Sequence, residues 1–296
     1  MPTSSPHPKI QADGVNVAFP VAGGTTFQAI EDLTASVESG EFVCLLGPSG
    51  CGKSTFLNLV AGYQTPTWGT LTMDGEPIKG PGRDRVMVFQ DYSLFEWRTV
   101  LHNVTFGLEM AGIPRRERVE TAREYLRLVG LASSEDKYPH ALSGGMKQRV
   151  GIARALAIQP EVLLMDEPFG ALDAQTRLVM QDEMLRIWEE TRTTVLFVTH
   201  AVDEAIFLAD RIFVLTASPG RLKAIVPVEM PRPRTRTSRD FVALYEHLED
   251  LLRDEVMTAV RREAGEGADG GDAAAGDGVQ PGPGSRRRRP VEEGAA

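Results

Sequence analysis

The feature that most constrains this chain is residues 47–55, whose sequence GPSGCGKST has the spacing G-x-x-x-x-G-K-[ST]. An apolar, strand-like run at residues 42–46 precedes this loop, and an amphipathic helix pattern through Phe56, Leu57 and Leu59 follows it. Glycines in such a turn let backbone N–H groups surround an anion at the positive N-terminus of the helix. A strand, this loop and a helix in direct succession therefore predict an α/β domain that binds the phosphates of a nucleoside triphosphate.

The side chains of the loop indicate how a triphosphate would be held. Lys53 supplies a positive charge, and the hydroxyl of Ser54 is a suitable ligand for Mg²⁺. Cys51 lies where a helix N-terminus tends to lower the pKa of a thiol, so we expect its alkylation to block ATP binding. The candidate nucleotide ligands in the loop are Gly47, Pro48, Ser49, Gly50, Cys51, Gly52, Lys53, Ser54 and Thr55.

Two later apolar runs also end in polar side chains. Residues 162–166 end in Asp166, which Glu167 follows, and residues 194–199 are followed by His200. Parallel strands bring their carboxyl ends to one edge of a sheet, so these side chains are expected near the phosphates. Asp166 is predicted to bind Mg²⁺, Glu167 to polarise a water for attack on the γ-phosphate, and His200 to act beside them. The alternatives are a solvated acidic turn and a surface histidine.

A second glycine-rich segment, residues 142–146 with the sequence LSGGM, precedes another helical pattern. Ser143 and the backbone N–H groups of Gly144 and Gly145 would stand at the start of that helix. Such a helix N-terminus attracts anions. The segment is thus a second candidate site for the phosphates of a nucleotide.

The remaining pattern predicts the layout of an α/β domain. Apolar runs alternate with amphipathic segments, which indicates a mainly parallel central sheet that includes residues 86–90. Residues 10–40 and 69–74 predict strands of an antiparallel flap beside it. Strand-like runs stop at residues 100–132, where two amphipathic stretches predict an inserted helical subdomain, with approximate bounds of 91–158.

The C-terminal part of the chain changes character twice. Residues 238–262 have the pattern of an amphipathic helix, within an extension that we place at 229–262. Residues 263–296 are rich in Gly, Ala, Asp and Pro and cannot bury enough apolar surface to offset the entropy of ordering. We therefore expect this tail to be disordered.

Composition limits the partners and the compartment. A net charge of −9 argues against a nucleic-acid partner, since such proteins need excess Lys and Arg. The two cysteines, Cys44 and Cys51, do not form an evident disulfide framework, which fits a reducing cytosol. No apolar run reaches the length of about 18 residues that a membrane span needs, and the N-terminus lacks the apolar region of a signal peptide. We expect a chain that is neither secreted nor membrane-spanning.

Taken together, these motifs resemble those of the ATP-binding subunits of ABC transporters. Residues 47–55 resemble the Walker A motif, residues 162–167 the Walker B motif with its catalytic glutamate, and residues 142–146 the family signature. The resemblance adds Gln90 as the glutamine of the Q-loop, Asp173 as part of the D-loop, and His200 as the switch histidine. It implies an ABC ATP-binding domain over residues 10–228, with an α/β, RecA-like P-loop core, an antiparallel β subdomain and a helical subdomain.

The resemblance also implies a mechanism that needs two such domains. They sandwich two ATP molecules, each held by the Walker A motif of one domain and the signature of the other. This chain carries one copy of each motif, so we expect a homodimer or pairing with a second ATPase chain. The residues implied to be catalytic are Gln90, Glu167 and His200; those implied to hold Mg²⁺ are Ser54, Gln90 and Asp166; those added to the nucleotide ligands are Phe19, Ser143, Gly144, Gly145 and Asp173.

Two aromatic assignments stay open. Phe19 ends the first strand, where the family places an aromatic ring that stacks on adenine, but it also fits a core phenylalanine, and Phe27 is a second candidate. Phe95 and Trp97 follow the Q-loop, in the region that contacts the coupling helix of the permease in this family. They are expected either to line that socket or to be buried in the helical subdomain.

Further segments narrow the type of transporter by resemblance. They are residues 80–82, 88–90, 97–104, 138–140, 142–150 and 165–173, and they resemble the importer subfamily that serves nitrate, sulfonate and taurine. That subfamily implies a separate membrane permease, an extracytoplasmic solute-binding protein and a location at the cytoplasmic face of the cell membrane. The alternatives are the ATPase subunit of an exporter and, less in keeping with the sequence, a non-transport ABC ATPase. A P-loop kinase would leave residues 142–146 without a role.

Overall fold

The computed structural model describes residues 7–21 and 24–269, and of residues 263–269 it describes the backbone alone. The strands are β1 (Ile10–Pro20), β2 (Thr26–Val37), β3 (Phe42–Leu46), β4 (Trp68–Met73), β5 (Glu76–Pro77), β6 (Arg85–Val88), β7 (Val162–Asp166), β8 (Thr194–Thr199), β9 (Arg211–Leu215) and β10 (Leu222–Pro227). The helices are α1 (Lys53–Val60), α2 (Val100–Val104), α3 (Phe106–Met110), α4 (Arg115–Leu128), α5 (Gly144–Ala157), α6 (Ala174–Thr191), α7 (Val202–Leu208) and α8 (Arg239–Asp269).

The central sheet has the strand order β10-β9-β3-β8-β7-β6, in which β10 pairs antiparallel with β9 and the other pairs are parallel. Strands β3 and β8 are buried along their whole length, because helices cover one face of the parallel sheet and α1 with the antiparallel sheet covers the other. Register pairs Leu46 with Thr199 and Asp166 with Val198. The carboxyl ends of β3, β7 and β8 therefore meet at one edge of the sheet, and the predicted α/β class is confirmed.

A second, antiparallel sheet has the order β2-β1-β4-β5. Its longest pairing joins β1 to β2, with Phe19 opposite Phe27 near the end where β1 stops and β2 begins. Strand β6 is shorter than the strand expected at residues 86–90, because it ends at Val88 and leaves Gln90 in the loop that follows. The predicted antiparallel flap is thus a sheet of its own beside the parallel core.

Helices α2 to α5 pack together in the region where the helical subdomain was expected. The first predicted helix there is two short helices, α2 and α3, which meet at Thr105. The buried side chain of Asn103 secures the preceding loop: its Oδ1 accepts from the backbone N–H of Phe95, and its Nδ2 donates to the carbonyls of Phe95, Arg98 and Thr99. This loop carries the aromatic side chains that follow the Q-loop.

Helix α8 packs against the core through Phe241, Leu248 and Leu252. It runs past the predicted end at Arg262 to Asp269, so it includes residues 263–269, which were expected to be disordered; Ala and Glu in that stretch favour helix. The rest of the predicted tail, residues 270–296, lies outside the described residues. Residues up to Ala259 form one compact unit, and a second begins at Val260.

Within the described part of the chain, no helix combines the length and the apolar character that crossing a membrane requires.

Candidate active site

The loop between β3 and α1 is shaped by its glycines and closed by its lysine. Gly52 has a φ of 93°, and a Cβ there would lie 2.8 Å from the carbonyl oxygen of Ala29, so a side chain is excluded on both counts. The ammonium of Lys53 donates to the carbonyls of Gly47 and Pro48, each at 2.8 Å, and only 5% of this residue is exposed. Lys53 thus holds the start of the loop against its end.

A cavity of about 350 Å³ lies in front of this loop. It is lined by Phe19, Phe27, Ala29, Ser49, Gly50, Gly52, Lys53, Ser54, Thr55 and Glu167. The structure therefore brings most of the loop together with both aromatic candidates and one strand-end carboxylate. Gly47, Pro48 and Cys51, which were also predicted to contact the nucleotide, are not among the lining residues.

Cys51 differs from its expected state. Its side chain is fully buried, with Sγ 3.8 Å from Nζ of Lys53, and a Cβ on Gly47 would lie 2.9 Å from the sulfur. Burial raises the pKa of the Cys51 thiol, and the nearby charge of Lys53 offsets this only in part. The expectation of a lowered pKa is wrong because the thiol points into the protein core, where desolvation outweighs the helix N-terminus.

Ser54 and Asp166 provide the oxygen donors that were predicted for Mg²⁺. The hydroxyl of Ser54 donates to Oδ1 of Asp166 at 3.0 Å, which places a hydroxyl and a carboxylate side by side at the start of α1 and the end of β7. Burial raises the pKa of Asp166, against the hydrogen bond from Ser54 and the charge of Lys53. A partly desolvated carboxylate beside a hydroxyl is a fitting donor set for Mg²⁺, which prefers oxygen ligands.

Glu167 and His200 meet across the ends of β7 and β8. Nδ1 of His200 lies 3.0 Å from Oε2 of Glu167, and the imidazole is 63% exposed whereas the carboxylate is 27% exposed. Glu167 has a φ of 44°, a left-handed conformation that is uncommon for a residue with a side chain. Hydrogen bonds fix this turn, since the backbone N–H of Glu167 donates to Val198 and its carbonyl accepts from Gly170. The turn aims the carboxylate at the cavity.

Gln90 lies to one side of this group. It is exposed, it follows the end of β6, and a Cβ on Gly170 would lie 3.3 Å from its Nε2. Gln90 is therefore next to the turn that carries Glu167. It is not among the residues that line the cavity.

The signature residues stand apart from the cavity. Ser143 is the N-cap of α5, where its Oγ accepts from the backbone N–H of Met146 at 3.4 Å. A Cβ on Gly144 would lie 2.8 Å from the hydroxyl of Tyr92, and one on Gly145 would lie 2.9 Å from Cγ2 of Thr176. A side chain at either position would therefore have to displace Tyr92 or Thr176.

Asp173 is likewise outside the cavity. It is the N-cap of α6, and its Oδ1 accepts from the backbone N–H groups of Gln175 and Thr176 at 3.1 and 3.0 Å. The hydrogen bond from Thr176 is the main cause of the lowered pKa of Asp173. Because Thr176 also contacts Gly145, the start of α6 and the start of α5 form one surface.

Sequence reasoning missed a buried polar group beside His200. Glu204 is 5% exposed and Gln181 is 1% exposed, and Nε2 of Gln181 donates to Oε1 of Glu204 at 2.8 Å. Glu204 shares a small pocket with Glu167 and His200. The available signal was its position four residues after His200 in a short helix that is apolar except for Asp203 and Glu204 itself. Its burial places Glu204 on the inner face of α7.

Comparison with known proteins identifies the family to which this chain is similar. The family model described as ABC transporter matches residues 30–170. An uncharacterized ABC transporter ATP-binding protein of Methanocaldococcus jannaschii is 52% identical over 238 residues, which are 80% of this chain and 89% of that protein. The nitrate import ATP-binding protein NrtD of Synechocystis sp. is 48% identical over 234 residues, which are 76% of this chain and 88% of that protein.

Solved structures agree with these relatives. One is the dimeric structure of an ATP-binding cassette in a post-hydrolysis state, bound to ADP and Pi. It matches with a TM-score of 0.65 and 31% identity, and the match covers 75% of this chain and 100% of that one.

Proposed function

This chain belongs to the ATP-binding subunits of ABC transporters, and on that premise we propose that it hydrolyses ATP to power import of a small anionic solute through a separate membrane permease. The observation that carries the proposal is the convergence of two pairs, Ser54 with Asp166 and Glu167 with His200, on the phosphate loop. If residues 166–167 were only a solvated acidic turn, their carboxylates would not be expected to pair with Ser54 and His200.

We place the nucleotide in the cavity with its phosphates at the loop and its base at the aromatic side. The phosphates lie along the backbone N–H groups from Gly50 to Thr55, where the N-terminus of α1 favours negative charge. Lys53 leaves its two carbonyl partners for the phosphate oxygens, and the base lies against Phe19 or Phe27. Ser54 and Asp166 would hold Mg²⁺, which neutralises charge on the phosphates.

Hydrolysis is assigned to the strand-end group. Glu167 accepts a hydrogen bond from the attacking water, and His200 holds the Glu167 carboxylate in place from its other side. We assign Gln90, beside the Glu167 turn, an assisting role toward the same water. The signature residues Ser143, Gly144 and Gly145 lie away from the cavity of their own chain, so they serve the ATP of a second chain.

The second chain is most simply another copy of this one. Asp173 then lies in the interface through the surface that the starts of α5 and α6 share. We assign residues 10–228 to the ATP-binding domain, about 91–158 of these to its helical subdomain, and residues 229–262 to a C-terminal extension. A homodimer uses both helix N-termini of each copy, one to bind its own ATP and one to close the partner's site.

An apolar cavity of about 320 Å³ on the helical side is the proposed site for the permease's coupling helix. It is lined in part by Phe89, Tyr92, Phe95 and Ile158, and Phe95 also packs on Phe106 with ring centroids 4.6 Å apart. Trp97 is 75% exposed, 5.4 Å from the ring of Phe95. Phe95 packs within the helical subdomain and also lines the proposed socket. Trp97 has the exposure that a docking contact needs.

The class of transported solute is inferred from the relatives of this chain, because neither cavity described above is proposed to bind the solute. The relative NrtD is named for nitrate import, and the subfamily resemblance extends to sulfonate and taurine, so a small anion is the proposed class. The permease and an extracytoplasmic binding protein would select it, which places this chain at the cytoplasmic face of the membrane. An exporter subunit is the second candidate, because the ATP site itself does not set the direction of transport.

The test is to isolate the chain with its membrane partner. We expect affinity purification from detergent-solubilised membranes to retain a permease, and the cognate binding protein to bind nitrate, a sulfonate or taurine in calorimetry. Vesicles that contain the complex should accumulate that anion only with ATP and the binding protein present. Transport out of the cell without any binding protein would support the exporter, and the absence of a membrane partner would contradict both.

A further inference from the structure

Three arginines that alternate along residues 230–237 face the same helix. The sequence MPRPRTRT places Arg232, Arg234 and Arg236 two residues apart in an irregular segment, with bends at residues 232–233 and a turn at residues 236–237. We call this segment the arginine strap. It lies between β10 and α8, and each of its arginines contacts α7 or the loop that follows it.

Two of these arginines close the C-terminal end of α7. The guanidinium of Arg234, a residue only 6% exposed, donates to the carbonyls of Ile206, Phe207 and Ala209. Arg232 donates to the carbonyl of Leu208 at 2.6 Å and to Oδ1 of Asp210 at 2.6 Å. The last carbonyls of a helix have no partner within the helix, and they carry its negative end. Arg232 and Arg234 therefore donate hydrogen bonds to these carbonyls and place positive charge at the negative end of α7.

The third arginine begins a chain of buried hydrogen bonds. The guanidinium of Arg236 lies 3.6 Å from the centroid of the Phe207 ring, and its Nη2 donates to Oε1 of Gln181 at 2.5 Å. Gln181 in turn donates to Glu204, which also accepts from the hydroxyl of Thr199. Burial raises the pKa of Glu204, and the hydrogen bonds from Thr199 and Gln181 oppose that rise. The chain crosses from the strap through α6 to α7.

The far end of this chain holds the turn that carries His200. The hydroxyl of Thr199 donates to Glu204 and accepts from the backbone N–H of Ala201 at 3.0 Å. His200 is the residue between Thr199 and Ala201, and its own side chain is mostly exposed. The buried hydroxyl of Thr199 thus links the residue before His200 to the residue after it and to Glu204, in addition to the pairing of Thr199 with Leu46 in the sheet.

We propose that the arginine strap is a positioning device for His200, acting through α7 and through the chain Arg236–Gln181–Glu204–Thr199. This inference rests on the proposed function, which gives His200 its role beside Glu167. Helix α7 has only 7 residues, too few to hold its shape without tertiary contacts. The strap secures its C-terminal end, the buried chain secures its N-terminal turn, and the two together keep the imidazole against Glu167.

The test is the full-length chain with Arg236→Met, which retains an apolar stem over Phe207 and removes the donor to Gln181. We expect kcat for ATP hydrolysis to fall about tenfold while KM for ATP stays within about twofold, since the phosphate loop is untouched. The imidazole resonance of His200 in histidine-labelled protein should shift, with its assignment made by His200→Gln. Arg236→Lys keeps a hydrogen-bond donor, so its kcat and its His200 resonance should both lie closer to the wild-type values.

Lys223→Ala is the matched control. Lys223 donates to the carbonyl of Leu251 and to Glu255, so its loss weakens the attachment of α8 without touching α7. We expect this variant to leave kcat and the His200 resonance unchanged. A folded Arg236→Met protein with normal kcat and an unshifted His200 resonance would overturn the proposal. Equal losses in both variants would also overturn it, because they would point to general destabilisation.

A variant that does not fold and a failure of the proposed function can both be distinguished from a failure of this proposal. If Arg236→Met does not fold, Thr199→Val removes the last link of the chain at nearly constant volume, and an unshifted His200 resonance there would overturn the proposal. If His200→Gln itself retains normal turnover, the role of His200 in the proposed function fails. The resonance still reports whether the strap positions the imidazole, since it does not depend on hydrolysis.

Discussion

Nδ1 of His200 lies 3.0 Å from Oε2 of Glu167, although the two residues are 33 positions apart in the chain. They come from the ends of neighbouring parallel strands, β8 and β7, whose register places Asp166 beside Val198. The strained backbone of Glu167 turns its carboxylate towards the phosphate loop, and His200 meets it there. The proposed hydrolysis of ATP at this edge of the sheet rests on this pair.

We predict that Glu167→Gln binds ATP normally but hydrolyses it at least about a hundredfold more slowly, because an amide cannot accept the proton of the attacking water. The variant should also trap an ATP-bound dimer, which light scattering coupled to gel filtration would detect. Glu161→Gln is the control, since Glu161 pairs with Lys9 at the opposite end of β7. A wild-type rate in Glu167→Gln would contradict the assignment of the base.

Ser143→Arg should abolish ATP-dependent dimer formation when it is added to Glu167→Gln, because a long side chain would occupy the space of the partner's γ-phosphate. The loss of the α5 cap alone costs about 1 kcal/mol of stability and should not unfold the chain. Ser238→Arg removes an equivalent contact, since Ser238 accepts from the backbone N–H of Phe241 at the start of α8. Ser238→Arg should keep the dimer, and a dimer that persists in Ser143→Arg as it does in this control would refute the sandwich.

Trp97→Ala should retain soluble ATPase activity within about twofold, because a side chain this exposed contributes little to folding. We expect it to lose the stimulation of hydrolysis by the permease in reconstituted vesicles. Trp68→Ala, at a residue that is 62% exposed on the antiparallel sheet, should change neither activity. Loss of soluble activity together with a lower melting temperature would show that Trp97 packs within the helical subdomain.

Cys51 should resist alkylation in the folded protein. Because burial raises its pKa, the thiolate fraction at pH 7.5 is smaller than that of a free cysteine, and labelling by iodoacetamide should be at least about tenfold slower. The rate should increase as the pH rises towards the raised pKa. Intact mass measured before and after denaturation checks this, since unfolding should expose both Cys44 and Cys51. Rapid single labelling at pH 7.5 would contradict the buried placement.

The fold and most of the site were predictable because their signals are local. The phosphate loop is a strand, a turn and a helix in direct succession, and the carboxylates of Asp166 and Glu167 end a single apolar run. Gln90 was harder to place, because its strand ends at Val88 and the loop that follows has no repeating pattern. The position of Phe27 opposite Phe19 depended on the register of β1 and β2, which a turn with several possible lengths does not fix.

The sequence by itself determined where the glycine-rich loop between a strand and a helix lies and which strand ends carry acid and imidazole groups, since spacing along the chain specifies these features. Only the tertiary structure decided that Cys51 is buried, that His200 meets Glu167, and that Arg236 reaches Glu204 through Gln181. Gln181 and Arg236 are 55 positions apart, and no periodicity links them. The physical reason is that desolvation and long-range hydrogen bonding arise only when separate elements pack, and packing is a property of the whole core.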